Sequence, residues 1–252
     1  AVTGTSTLTG NVTAAGTLAV TGNSTFSGDI IKSTSGTSNF AAGVNAGNSI
    51  ASGGNYNTVV GDEAGTAITT GDFNVFIGTY AGDAGATISN NVGIGVGALG
   101  TDTNGNASTA IGHSALNAQN YGSGTTTHNT AVGYQAGVAV TTGVQNTILG
   151  SASGDAISDS DGNTALGYGA LSAEQQGNKS TAVGWQALLQ ANRGSSGDSF
   201  NTAVGYNAGS GINTGLKNTF IGGGSGSTVT SGDANTILGA YNGNQSGIDI
   251  RT

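Results

Sequence analysis

Two histidines and two short loops carry the residue types that could support catalysis or ligand binding. His113 and His128 have no acidic residue that recurs beside them, although a catalytic site needs convergent groups held by a scaffold. The segment from Asp159 to Asn163 resembles part of a calcium loop but lacks the Glu expected at loop position 12. The glycine-rich segment 222–226 lacks the Lys-Ser/Thr pair of a phosphate loop. We therefore predict no catalytic residue, no metal site and no cofactor, in a protein that is not an enzyme.

Ring-bearing residues at one recurring place offer a surface that could contact a ligand. Each directly follows a glycine, and the set is His113, Tyr134, Tyr168, Trp185 and Tyr206. Exposed rings can stack against sugars, and many weak contacts along a fibre add up through valency. Tyr134, Tyr168, Trp185 and Tyr206 are therefore possible glycan contacts. The alternative is that these rings cover the edge of a repeat or pack between chains.

Composition excludes several classes of protein. The chain of 252 residues has 48 Gly, no Pro and no Cys, and only 7% of its residues are charged. An average globular enzyme has about 7% Gly and about 25% charged residues. The five Lys and Arg residues are scattered and the net charge is −8, so a nucleic-acid partner is not expected. No apolar run approaches the roughly 20 residues of a membrane-spanning helix, and we predict no membrane insertion.

The segment 1–32 follows a period of six. Gly4, Gly10, Gly16, Gly22 and Gly28 are spaced by six, and aliphatic or aromatic residues alternate with Thr, Ser and Asn between them. Such a strand has one apolar face and a bend at every sixth residue. It must either coil on its own chain or intertwine with copies of itself. We favour three intertwined chains over residues 1–32, because the five hexads are too few for a stable coil of one chain, and we assign residues 33–56 to a transition.

From residue 57 onward the repeated unit is Asn-Thr-x-φ-Gly, where φ is aliphatic. We call the final residue the anchor glycine. The anchors are Gly61, Gly78, Gly95, Gly112, Gly133, Gly150, Gly167, Gly184, Gly205, Gly222 and Gly239. The numbers of successive anchors differ by 17, or by 21 at every fourth interval, which gives a longer period of 72. These eleven units, over residues 57–252, predict a parallel β-solenoid with one unit per coil.

The units also predict how each coil is built. The aliphatic residue before the anchor is expected to face the core, and a small residue, usually Ala, follows the anchor by three positions. That small residue suits a close approach of two backbones. A second strand is expected around Ile68 and its equivalents, followed by a glycine turn. The four-residue insertions, within segments 120–128 and 192–200, are expected to protrude as loops and to leave the register of the coils unchanged.

Asn begins nearly every unit and is expected to form a ladder along the solenoid. A side-chain amide can donate to one neighbour and accept from the other, so stacked and buried Asn residues satisfy one another. The predicted structural ladder is Asn57, Asn74, Asn91, Asn129, Asn146, Asn163, Asn201, Asn218 and Asn235. Ser108 and Ser180 replace Asn in two coils.

The unit Asn-Thr-Ala-Val-Gly-Tyr-x-Ala-Gly, at 129–137 and 201–209, resembles two related groups of proteins. It is similar to the repeats of trimeric autotransporter adhesin heads, whose β-rolls pack three around an axis. The chain as a whole looks more like the tail fibres of tailed bacteriophages. This resemblance implies an all-β, trimeric parallel β-solenoid or β-roll preceded by an intertwined hexad segment. It also implies an extracellular virion protein, a homotrimer that contacts neighbouring fibre or tail proteins.

The function expected from the resemblance is that of a fibre shaft carrying a receptor-binding tip toward the host. The alternative is a cell-surface or extracellular adhesin that binds host surface glycans or ice on the same β-roll. Ice binding favours a flat rank of Thr-x-Thr pairs, whereas nine of the eleven units supply one Thr after the first residue and lack the second Thr of a pair.

Overall fold

The computed structural model describes residues 34–243, and this part of the chain contains strands and turns without a helix. The predicted hexad segment, residues 1–32, lies outside the described residues, as do residues 33 and 244–252. Twelve three-residue strands form one parallel sheet, and each strand pairs with the strand of the next coil. Equivalent positions in most neighbouring coils are 17 apart, as in the pairing of Thr147 with Thr164. The predicted all-β, parallel β-solenoid and its coil length are confirmed.

The strands lie at the Asn-Thr-x-φ-Gly units, at equivalent positions in successive coils. The twelve strands of the main sheet are β1 (Phe40–Ala42), β2 (Thr58–Val60), β3 (Val75–Ile77), β4 (Val92–Ile94), β6 (Thr109–Ile111), β8 (Thr130–Val132), β9 (Thr147–Leu149), β10 (Thr164–Leu166), β12 (Thr181–Val183), β14 (Thr202–Val204), β15 (Thr219–Ile221) and β16 (Thr236–Leu238). Two short pairs form separate sheets, β5 (Gly105–Asn106) with β7 (Thr125–Thr126) and β11 (Gly177–Asn178) with β13 (Gly197–Asp198).

The solenoid begins one coil earlier than the sequence predicts. Phe40 pairs with Thr58 in the same parallel register as every later coil, so the segment 33–56 contains a coil and is more than a transition. Two features hide this coil in the sequence. Phe40 stands where most units have Thr, and the step from Asn39 to Asn57 is 18 instead of 17.

The anchor glycines turn the chain out of each strand and stack on one another. Gly133 has a φ of +139°, which is strained for any residue with a side chain. A Cβ added to Gly133 would lie 2.5 Å from the carbonyl oxygen of Gly150 in the next coil. Both the backbone angle and the spacing between coils therefore require glycine, which explains why this position is the most regular in the array.

The side of the coil opposite the sheet is built from turns, so the predicted second strand is absent from the described residues. Ile68 is fully buried, but its N–H donates to the carbonyl oxygen of Gly65, three residues earlier, at 3.1 Å. Glu63 and Gly65 both have positive φ angles near +60°. Two such residues within three positions cannot belong to an extended strand. The apolar side chain reaches the core from a turn instead.

The core is filled by complementary large and small residues, which accounts for the longer period of the sequence. Phe76, at position x of its unit, is fully buried and lies against Gly82, where an added Cβ would be 2.5 Å from the ring. In other coils the small residue is at position x and the large one follows six residues later. Ala110 and Leu116 are such a pair, and both are buried. Where both residues are small, as Ala131 and Gly137 are, Leu116 and Ile148 of the neighbouring coils reach into the space.

The small residue three positions after the anchor is buried inside the chain itself. Ala81 and Ala98 are fully buried, and their carbonyl oxygens accept the N–H groups of Gly65 and Gly82 in the preceding coil, at 2.9 and 3.0 Å. The close backbone approach predicted for this row is therefore between successive coils of one chain. It leaves no small-residue surface for a second chain.

The insertions preserve the coil register but are only partly loops. Thr109 pairs with Thr130 across the first insertion, in line with the other coils. The exposed tip is Gly122–Gly124, whereas Thr125–Thr126 forms β7 and Thr127 is fully buried. The prediction of an unchanged register is confirmed, and the prediction of a simple protruding loop is wrong because half of the insertion packs onto the solenoid.

Candidate functional site

The outer side of the twelve-stranded sheet, here called the outer sheet face, carries two parallel rows of side chains. The prediction that the aliphatic row faces the core is wrong, since Val204 is 37% exposed while its neighbour Ala203 is fully buried. Side chains alternate along a strand, so the Thr row two residues earlier also faces outward. The exposed members of the aliphatic row are Ile77, Ile111, Leu149, Leu166, Val204, Ile221 and Leu238.

The outer sheet face is long and carries no ionisable side chain in either row. Its strands are parallel and spaced by about 4.8 Å, so the twelve of them span roughly 53 Å. An apolar row of this length, repeated in every coil, exceeds the scattered apolar residues that ordinary protein surfaces carry. The arrangement is suited to contact with another apolar surface.

The rings that follow the anchor glycines, here called the aromatic row, stack face to face along the solenoid. The centroids of His113 and Tyr134 are 5.3 Å apart, and those of Trp185 and Tyr206 are 4.9 Å apart with planes 6° from parallel. Tyr168 stacks on Trp185 at 6.1 Å. The four residues predicted as possible glycan contacts are all exposed.

The aromatic row has a gap of one coil. Ser151 occupies the ring position between Tyr134 and Tyr168. At the usual strand spacing these two rings are about 10 Å apart, and the space between them matches the thickness of one further ring. Leu149, on the same coil as Ser151, is 46% exposed, more than Leu166 at 39%.

A second stack of rings precedes the Asn ladder and was not found from the sequence. Tyr56 and Phe73 stack with centroids 5.0 Å apart and planes 5° from parallel. In a later coil the Nζ of Lys179 lies 5.5 Å from the ring centroid of Phe200 and 2.8 Å from Oδ2 of Asp198. The spacing of Tyr56 and Phe73 by one coil length was the available signal.

The predicted Asn residues lie in one column and bond from coil to coil. Eight of the nine are buried and Asn235 is half-buried. Asn74 is typical: its Nδ2 donates to Asn57 Oδ1 at 2.9 Å and to the carbonyl oxygen of Ile88 at 2.8 Å. Its backbone N–H donates to the same Oδ1 at 3.0 Å. Asn39 extends the column by one coil.

Polar side chains form a buried cluster beside the first Ser rung of the column. Gln119 Nε2 donates to Asp102 Oδ2 at 2.5 Å and to Ser108 Oγ at 3.0 Å, while Gln119 Oε1 accepts Asn129 Nδ2 at 2.9 Å. Ser108 Oγ also bonds the hydroxyl of Thr127. Ser108 therefore replaces Asn where the longer coil supplies other polar partners. The sequence held no motif for this cluster, whose members are spread from Asp102 to Asn129.

Burial changes the acidity of two groups near this cluster. Removal from water raises the pKa of the Asp102 carboxyl, although hydrogen bonds from Gln119 and from the N–H groups of Gly105 and Asn104 act in the opposite direction. Burial also raises the pKa of the Tyr121 hydroxyl, which donates to the carbonyl oxygen of Gly143. The uncharged form of each group is favoured by its surroundings.

The residues weighed for catalysis and metal binding lie apart. His113 belongs to the aromatic row, and His128 is exposed with a φ of +52°. Asp161 Oδ1 accepts the N–H of Val144 at 2.8 Å, so this carboxylate holds two coils together. Residues 34–243 hold no cluster of three or more His, Cys, Asp or Glu side chains arranged for a metal ion. The same range includes no helix of the length and apolarity that crossing a membrane requires.

Comparisons of the chain with protein-family models, with curated proteins and with solved structures find no match.

Proposed function

We propose that the chain forms the shaft of a homotrimeric tail fibre of a tailed bacteriophage, which carries a receptor-binding tip toward the host surface. The observation that carries this proposal is the aliphatic row of the outer sheet face, exposed along the coils of a single chain. The proposed location is extracellular, on the virion, with neighbouring fibre or tail proteins at the ends of the shaft.

Copies of the same chain are the partners that fit this face. Its two rows carry only uncharged side chains, and one row is aliphatic in nearly every coil. A straight row that repeats every coil can lie along the same row of another copy, and three copies can close around one axis. The hexad segment supports three chains, because its single apolar face needs partners outside its own strand.

The repeated motif and the coil design also support the role of a shaft. The units resemble those of phage tail fibres, and each coil adds a fixed rise with its own rung of hydrogen bonds. Length then depends on the number of coils. Buried side chains of one coil pack on the next, so neither stiffness nor length depends on a ligand.

Native mass measurement of the purified chain tests the assembly. The expected mass is three times 24.1 kDa. Leu149→Lys with Leu166→Lys places two charges on the outer sheet face and should give a folded monomer with an unchanged circular dichroism spectrum. Thr142→Lys with Thr214→Lys adds the same charge at exposed turns and should remain trimeric.

A folded monomer of the unaltered chain at micromolar concentration would contradict the trimer. Electron microscopy of phage particles labelled with an antibody against the chain tests the location, and label away from the tail would contradict that part of the proposal.

A second candidate function is an adhesin that binds host surface glycans, and the gap at Ser151 favours it. The faces of Tyr134 and Tyr168 toward Ser151 have no ring stacked on them among the described residues. A sugar ring fits between aromatic faces at such a spacing. Ser151→Trp should fill the gap and abolish glycan binding on an array, while Thr142→Trp at an exposed turn should leave it unchanged. Ice binding has less support, because the row that accompanies Thr on the outer sheet face is aliphatic.

A further inference from the structure

Two coils have 21 residues instead of 17, and the polar cluster of the first has a counterpart in the second. The two clusters differ at the position of Gln119. Asp102, Ser108 and Thr127 correspond to Glu174, Ser180 and Ser199. Gln119, whose amide joins the first cluster, corresponds to Ala191. Gln119 and Ala191 are both buried, so the second version has the same polar surroundings without the amide.

Two backbone N–H groups hold one carboxylate oxygen of each acidic residue in a similar way. Asp102 Oδ1 accepts the N–H groups of Gly105 and Asn104 at 2.7 and 3.3 Å. Glu174 Oε1 accepts those of Gly177 and Gln176 at the same two distances, and it also accepts the N–H of Arg193 at 3.3 Å. The two carboxylates therefore share two backbone contacts, although the Glu174 side chain is one methylene longer than that of Asp102.

The second oxygen is where the two versions diverge. Asp102 Oδ2 receives Gln119 Nε2 at 2.5 Å. Glu174 Oε2 instead lies near Ser199 Oγ, since both atoms surround the point that a Cβ on Gly177 would occupy, at 2.5 and 2.3 Å from it. The two oxygens are thus no more than about 5 Å apart, a separation that one bridging water spans.

Both serines of the second version are buried without a hydrogen-bond partner in residues 34–243. Ser180 Oγ and Ser199 Oγ are the atoms concerned. In the first version the equivalent hydroxyls, on Ser108 and Thr127, bond each other. Buried hydroxyls without a partner are costly, and such groups normally have ordered water beside them.

We propose that one water molecule is bound in the position of the missing amide, where it donates to Glu174 Oε2 and bonds the hydroxyls of Ser180 and Ser199. Ala191 lacks the outer four heavy atoms of the Gln119 side chain. Three polar partners match the number that buried waters usually have. The Nη1 of Arg193 is also buried without a hydrogen-bond partner in residues 34–243, and it lies beside Gly197, which pairs with Gly177. Arg193 forms no ion pair with Glu174 in this range, so its guanidinium does not satisfy Glu174 Oε2.

Reciprocal substitutions test the proposal by high-resolution crystallography of the purified protein. The unaltered chain should show density within about 2.6–3.2 Å of the three oxygens. Glu174→Asp with Ala191→Gln and Ser199→Thr reproduces the first cluster and should remove that density. Gln119→Ala should create an equivalent density between Asp102 and Ser108.

The melting temperature adds a second readout. It should be the same in NaCl, KCl and choline chloride at equal ionic strength. A shift of several degrees with the cation, or contacts shorter than about 2.5 Å in the density, would assign the site to a metal cation and overturn the proposal. Absence of density in both the unaltered chain and Gln119→Ala would overturn it as well. Neither outcome depends on whether the protein is a phage fibre.

Discussion

Ala203 and Val204 are adjacent on one strand and face opposite sides of the coil. Ala203 is fully buried in the core, and Val204 lies on the outer sheet face. Substitutions at these two neighbouring positions can therefore separate folding of the coil from the proposed contact with other copies.

We expect Ala203→Asp to prevent the coil from folding, because an unpaired buried carboxylate costs several kcal/mol. Val204→Asp should leave each chain folded but weaken or abolish the proposed trimer. Thermal melting by circular dichroism and native mass spectrometry distinguish the two results. A folded trimer of Ala203→Asp would show that the assignment of the two faces is reversed.

The anchor glycines give a prediction about backbone strain. Gly133→Ala places a Cβ against the carbonyl oxygen of Gly150 and forces alanine into a φ of +139°. The angle alone costs about 1–3 kcal/mol, and the contact adds to this. Gly122→Ala is the matched control, since nothing lies within 4 Å of its added Cβ. Urea unfolding should show a large decrease in the free energy of unfolding for Gly133→Ala and almost none for Gly122→Ala. Equal decreases would contradict the conclusion that the stacking of anchor glycines requires glycine at this position.

The Asn column predicts a position-dependent cost of losing an amide. Asn146 Oδ1 accepts the N–H of Asn163 at 2.9 Å, and its Nδ2 donates to the carbonyl oxygen of Ser160 at 2.8 Å. Asn146→Ala leaves both partners unpaired and buried, at about 1–3 kcal/mol each. Asn213→Ala, at an exposed side chain, should change the unfolding free energy by less than about 0.5 kcal/mol. Similar changes in the free energy of unfolding for the two variants would mean that the Asn column contributes little to stability.

Asp102 predicts a pH dependence of stability. Its pKa is raised above the ordinary value of 3.8, so the folded state holds a proton more tightly than the unfolded state does. This group therefore lowers the free energy of unfolding as the pH rises from about 4 through its folded pKa. Asp102→Asn removes that effect and should gain stability relative to the unaltered chain between pH 4 and 7. Denaturant titrations across this range measure the difference, and parallel curves for the two proteins would contradict the assignment.

The first insertion predicts unequal tolerance to change along its length. Deleting residues 125–128 removes β7 and the buried Thr127, so we expect the melting temperature to fall. Inserting two Gly residues between Gly122 and Ser123 lengthens only the exposed tip and should have little effect. If the deletion melts like the unaltered protein, the packed half of the insertion has no structural role.

The anchor glycines made the coil length and register predictable from the sequence. Which side chains of each strand face the core was not predictable. The φ position is aliphatic in every unit, which usually indicates a core, while position x varies from Gly93 to Phe76. The variation has a physical cause, because in several coils the x residue is matched in size to the residue that packs against it, as Phe76 is to Gly82. Residue types are therefore uniform on the outer sheet face and varied in the core.

The buried polar cluster could not be predicted because its partners come from different coils. Asp102 and Gln119 are one coil length apart in sequence and meet only once the coils stack. The aromatic row, by contrast, was visible in the sequence because each ring follows an anchor glycine. Its stacking could be expected from the strand spacing, but the second stack of Tyr56 and Phe73 lies outside the repeated motif.

The parallel order of the twelve strands determines how the solenoid responds to tension. The strands lie across the solenoid axis, so the hydrogen bonds between neighbouring strands point along that axis. The junctions between coils therefore bear a load in series. A pull on the two ends then loads every junction equally, and the weakest one opens first. Each coil that opens releases on the order of 50 Å of slack, since a fully extended chain spans about 3.3 Å per residue. The chain would therefore lengthen in steps and dissipate a sudden load coil by coil.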